Sequence, residues 1–115
     1  MSVAPRVRLR VAPGPAERDA EIGRWLADSA GQRRAVLVEG LLFDRPGPGG
    51  VPLVGLIAGC PCCVGILPLR VTLARTVRRL RPDHLLLLVA SAEHLPRLRR
   101  LLDSGGIGVR FEVEP

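Results

Sequence analysis

Three cysteines, Cys60, Cys62 and Cys63, fall within four residues of one another. The stretch reads Gly59-Cys60-Pro61-Cys62-Cys63 and contains every cysteine of the chain. An odd, clustered set is a poor disulfide framework; it suits metal ligation or thiol chemistry in a reducing cytosol. Three thiolates on one turn can converge on a soft divalent ion such as zinc, leaving a tetrahedral site one ligand short. Water, a side chain of a partner protein, His94 or His84 would complete it. An open position suits a protein that hands its metal on better than one that uses it as a staple. The bland alternative is three small apolar residues in a turn. A second chemical reading uses Cys60 and Cys63, whose C-x-x-C spacing is that of thiol oxidoreductases. The extra Cys62 and the lack of an aromatic residue before Cys60 weaken that match.

The segments on either side determine where such a turn would sit. Pro52 to Ala58 is apolar without alternation, which predicts a strand buried on both faces. From Ile66 to Arg81 the spacing is helical, with Ile66, Leu69, Leu73, Val77 and Leu80 sharing a face and Pro82 stopping the helix. The cysteines therefore lie at a strand-to-helix junction, where unpaired N–H groups and the positive dipole end favour thiolates. Leu85 to Ala90 is the strongest buried-strand signal. Ala92 to Asp103 predicts a helix with Leu95, Leu98, Leu101 and Leu102 inward, ended by Gly105 and Gly106. His94 falls in its first turn, on the strand edge that also carries the cysteines. His84 precedes the strand and reads first as a strand-end surface residue.

Upstream, Val7 to Val11 alternates apolar residues with arginine, an edge-like strand pattern. Pro15 opens a helix running to about Asp28, with Ile22, Trp25 and Leu26 buried and Glu17 and Asp19 near its positive end. Ala35 to Val38 is a short strand, Asp44 to Gly50 a loop, and Gly108 to Val113 a last strand. Apolar runs alternating with amphipathic helices imply a three-layer α/β domain with a mostly parallel sheet and helices on both faces. At 115 residues the chain is expected to form one such domain and no second.

Composition narrows the partners. All 17 basic residues are arginine and the formal charge is +6. The arginines fall on the polar sides of predicted helices, and 3% aromatic content leaves little to stack on bases, so no nucleic-acid partner is expected. Pro46 to Leu69 is uncharged and long enough to cross a bilayer, but Pro52, Pro61, Pro68 and six glycines would break that helix. No membrane span and no signal peptide are expected, and the location implied is cytoplasmic.

With these residues in view, the sequence resembles the CobW-type metal-handling P-loop GTPases, whose signature is G-C-x-C-C after a buried strand. The likeness covers about residues 35 to 103. It includes Ala35-Val36-Leu37-Val38-Glu39 with the later Asp44, then Arg81-Pro82-Asp83-His84-Leu85, then Ser91-Ala92-Glu93-His94-Leu95-Pro96. The departures fall on the nucleotide parts. Where the family has G-x-x-x-x-G-K-[ST], this chain has Ala12-Pro13-Gly14-Pro15-Ala16-Glu17-Arg18-Asp19, with acids where a lysine and a hydroxyl should attract phosphate. Val89 or Ala90 replaces the acidic residue expected late in the following strand. The chain has no lysine for a guanine-recognition motif, and it ends before that region and the family's C-terminal domain would fit.

The resemblance implies a shortened, nucleotide-free relative that binds or delivers zinc or another thiophilic divalent ion. It would not be an enzyme. Its partners would be the metal ion, a full-length GTPase or a metalloprotein client, with a homodimer sharing one ion through six thiolates as a further arrangement. A scaffold that binds a GTPase through its arginine-rich helices is the remaining alternative. Equilibrium dialysis against labelled GTP should show no magnesium-dependent retention; tight, magnesium-dependent binding would contradict the reading of the first loop.

Overall fold

Six consecutive residues, His84–Val89, are all buried, and everything else is arranged around them. The computed structural model describes residues 4–56, 66–103 and 110–114. In chain order its elements are β1 (Arg6–Val11), α1 (Pro15–Asp28), β2 (Arg34–Glu39), β3 (Arg45–Pro46), β4 (Pro52–Leu56), α2 (Ile66–Leu80), β5 (His84–Val89), α3 (Leu95–Asp103) and β6 (Glu112–Val113). Short 3-10 turns at Pro48–Gly50 and Ala92–His94 precede β4 and α3. The strands form one sheet in the order β3-β4-β2-β5-β1-β6. All pairings are parallel except β3 with β4.

The period-two alternation of side chains divides the core between the two faces. On one face Val7, Leu9, Ala35, Leu37, Leu85, Leu87 and Val89 meet Leu69 and Leu73 of α2 and Leu98, Leu101 and Leu102 of α3. On the other, Val36, Val38, Leu53, Leu86 and Leu88 meet Ile22 and Trp25 of α1. Strand β5 contributes to both, so the run of leucines needs no polar position, as expected of a parallel strand covered on each side. With α1 on one face and α2 and α3 on the other, the domain is a three-layer α/β sandwich, as the alternating pattern implied.

Helix signals mark the boundaries well. Pro15 sits at the start of α1, where its missing N–H is not needed. At the other end Ser29 Oγ donates to Trp25 O at 2.7 Å and Arg34 Nη1 to Leu26 O at 3.2 Å, satisfying carbonyls that the helix leaves open. Helix α2 ends with Arg81 in the left-handed region, φ 46°, immediately before Pro82.

Four expectations need correction. The Asp44–Gly50 segment is not entirely loop: Arg45–Pro46 pairs antiparallel with Leu53 and Pro52 and makes the sheet mixed. Strand β1 is internal, between β5 and β6, although β6 covers only Arg6 and Val7. Leu80 is 38% exposed despite its place in the apolar repeat, because Arg81 and Pro82 turn the chain away there, while Thr76 is buried instead. Ala92 to Asp103 is a 3-10 turn followed by the α-helix, rather than one helix. Residues 57–58, 105–106 and 108–109, which carried parts of the expected strands and helix end, lie outside the described residues.

Gly55 is a position where the fold tolerates no side chain. A Cβ there would collide with the backbone carbonyl oxygen of Leu41, which cannot swing aside as a side chain can. That close approach belongs to the loop after β2, which folds over β4; Gly55 N donates to Asp44 Oδ1 at 2.9 Å and Gly40 N to Leu56 O at 2.9 Å. Gly55→Ala should therefore destabilise the chain by about 1–3 kcal/mol, read as a lower midpoint in urea unfolding. A midpoint unchanged from the parent would show that the loop yields freely.

Candidate functional site

In a sheet of parallel strands the loops at the C-terminal ends of the strands gather on one edge. Glu39 ends β2 and Leu56 ends β4 in register with it, and Val89 ends β5 in register with Val11 of β1. Ala90, Ser91 and the Ala92–His94 turn follow β5 on that edge. The residues that flank the cysteine turn, Leu56 before it and Ile66 after it, are the end of β4 and the start of α2. Cys60, Cys62 and Cys63 themselves lie outside the described residues.

Two side chains organise this edge. Glu39 Oε1 accepts from Ala90 N at 2.8 Å, tying the end of β2 to the turn after β5. Ser91 Oγ accepts from Glu93 N at 3.3 Å and caps the turn that carries His94 in the backbone. In the sequence Glu39 stood out only as the end of the Ala35–Glu39 run that resembles the CobW-type pattern. Its position at the end of an A-V-L-V run, facing the next strand's turn, is the signal that it positions that loop.

At the same edge, α1 begins without a phosphate cradle. Gly14 precedes the helix with no side-chain cap, Pro15 offers no N–H, and the Glu17 carboxylate folds back over Gly14, where a Cβ would lie 2.8 Å from Oε2. An anion approaching this helix end would meet a carboxylate in place of free donors.

The structure separates the two histidines. His84 is the first residue of β5, paired in register with Arg6 and Arg34 at the N-terminal ends of their strands. It lies at the edge opposite the cysteine flanks, and the structure does not bring it near them. Nor is it a surface residue: it is 3% exposed, because its ring packs edge-on to Trp25 with centroids 5.4 Å apart.

Around His84 is a polar network that the sequence reading missed. Arg8 Nε donates to Glu114 Oε2 at 2.7 Å and Arg8 Nη1 to Asp28 Oδ2 at 2.9 Å, linking β1 to the end of α1 and to the chain beyond β6. His84 Nε2 stands 3.3 Å from Glu114 Oε1 but out of line for a hydrogen bond. Arg6, Arg8 and Arg10 all project to the α1 side of β1, and Glu114 and Glu21 meet them there. The alternation of arginine in β1 was the available signal; its acidic counterpart lies 106 residues away from Arg8 in sequence.

The titration of this network follows from its surroundings. Burial lowers the His84 pKa, and the nearby Arg6 and Arg8 charges add to that, against an opposing pull from Glu114. Burial would raise the Glu114 pKa, but the Arg8 hydrogen bond and the Arg8, His84 and Arg6 charges together hold it below its ordinary value. The Glu114 hydrogen bond raises that of Arg8.

No protein-family model, curated protein or solved structure matches the chain. Among the described residues no helix is long and apolar enough to cross a membrane.

The network predicts a pH dependence with a definite sign. The unfolded chain takes up a proton at His84 near the ordinary value of 6.5, whereas the folded chain takes it up only at lower pH. Stability should be full above that value and fall on acidification toward the folded-state pKa; loss of the Glu114 contribution follows only below 4.5. In urea unfolding at stepped pH, His84→Leu should remove the first of these two slopes. An identical slope in parent and variant would exclude His84 as its source.

Proposed function

We propose that this domain binds one zinc-like, thiophilic divalent ion on Cys60, Cys62 and Cys63 and passes it on, without binding or hydrolysing a nucleotide. The observation that carries the reading is three sulfurs within four residues, joined to the C-terminal end of a buried parallel strand and to the first turn of α2. That edge is where ligand chemistry collects in α/β sheets, since the loops there are free to vary over a fixed core. Three thiolates suit a soft ion and leave a fourth position open to exchange. His94, on the turn after β5, belongs to the same edge and is the candidate internal fourth ligand. His84 is enclosed by Trp25 at the other edge and serves the core.

The negative half rests on α1. Its N-terminus presents the Glu17 carboxylate, and the chain has no lysine to offer a phosphate. In the cytosol, where thiols stay reduced, such a domain would act as a carrier beside a metalloprotein client or a full-length GTPase of the CobW type that its cysteine motif resembles.

Metal per chain, measured by mass spectrometry after metal-free purification and zinc addition, tests this directly. The parent should hold about one ion per chain. Cys62→Ala combined with Cys63→Ala should abolish binding, His94→Ala should weaken it, and His84→Ala should leave it unchanged. Binding by the double cysteine variant equal to the parent's would refute the proposal. A reversible Cys60–Cys63 disulfide in a chain that retains no metal would favour redox chemistry instead.

A further inference from the structure

Away from both edges, an open groove of about 540 Å³ runs between α2 and the β3–β4 border of the sheet. Its apolar surface includes Val54 and Leu80, and its rims carry Arg45 on β3 and Arg75 and Arg79 on α2. Arg75 and Arg79 are four residues apart and so stand one above the other on the helix. Among the described residues none of these three guanidinium groups has a carboxylate within ion-pair distance, whereas Arg6, Arg8, Arg10 and Arg24 each do. The one acid in the groove, Asp44, is engaged by Gly55 N. Immediately before it, Leu42 and Phe43 are 86% and 80% exposed. Among the described residues they are the two most exposed large apolar side chains, in a chain with 3% aromatic residues.

The geometry points to a docking site here for an acidic, amphipathic segment of a partner protein, seated with carboxylates against Arg45, Arg75 and Arg79 and apolar side chains on Val54 and Leu80. An apolar surface between cationic rims matches a chain that alternates acidic and apolar residues. Exposed Leu42 and Phe43 supply the anchors that such interfaces use. A compact anion fits less well. The groove is far larger than a phosphate, and it adjoins the later turns of α2, whose dipole end is negative. A single-stranded nucleic acid fits less well, because Phe43 beside the groove offers one ring where a strand stacks successive bases on several. None of the cysteines is used here, and the site stands whether or not they bind metal.

Fluorescence anisotropy with a labelled synthetic peptide alternating glutamate and leucine tests it on the full chain. The parent should bind the peptide and not its glutamine counterpart. Arg75→Glu with Arg79→Glu should weaken binding by about tenfold or more, the worth of charge-assisted contacts. Arg97→Glu with Arg100→Glu on α3 changes the net charge equally and should change affinity by about twofold at most. Circular dichroism confirms the fold of each variant, and Arg45→Glu on β3 repeats the test should the α2 pair fail to fold. The proposal is overturned if the parent does not bind, if the α2 and α3 pairs weaken binding alike, or if pyrophosphate or an oligonucleotide of equal charge competes as well as unlabelled peptide.

Discussion

Burial of β5 on both faces is the constraint from which the rest of the structure follows. Its leucines pack against α1 on one side and against α2 and α3 on the other, and its backbone pairs with β1 and β2 at once. A strand so placed cannot shift by one residue without exchanging the two cores. It therefore fixes the direction of its parallel neighbours and decides which edge carries the loops after β1, β2, β4 and β5. The three helical crossovers obey the same handedness: α1 carries the chain one way on one face, and α2 and α3 carry it back on the other.

That single choice of direction separates the chemistry. The edge at the C-terminal ends carries Glu39, Ser91 and the turn of His94, with the cysteines joined to it through Leu56 and Ile66. The opposite edge carries His84, Trp25 and the Arg8–Glu114–Asp28 network. There, charge is used for structure: the arginines of β1 find acids on α1 and beyond β6, so a face that α1 does not fully cover with apolar residues is closed with ion pairs instead. Arg8 and Glu114, at 14% and 15% side-chain exposure, form the buried part of it. Removing one partner would leave the other partly buried charge with a single remaining contact, Arg8 with exposed Asp28 or Glu114 with Arg6. Among the described residues the arginines of α2 have no carboxylate within ion-pair distance.

Much of the fold was legible in the sequence, and for local reasons. Pro15, Pro82 and the leucine run of β5 act through backbone geometry and burial that neighbouring residues specify, so the helix limits and the central strand were readable. The two-residue strand β3 was not, because Arg45–Pro46 has no periodicity of its own and pairs only because Asp44 and Gly55 hold the loop against β4. His84 was misjudged as a surface residue for the same kind of reason. Its burial depends on Trp25 and Glu114, each more than 25 residues away in sequence, and no pattern around Pro82-Asp83 announces them. For the candidate site, residue type and spacing are all that point to the cysteine turn, since its residues lie outside the described ones. The sheet adds that Glu39 and the backbone turn of His94 lie at the same edge as Leu56 and Ile66, which flank the cysteines, and that His84 does not.

The most direct measurement of the central claim is X-ray absorption at the zinc edge of the metal-loaded chain. A first shell of three sulfurs at about 2.3 Å completed by one lighter atom is expected. A shell made only of nitrogen and oxygen would contradict it.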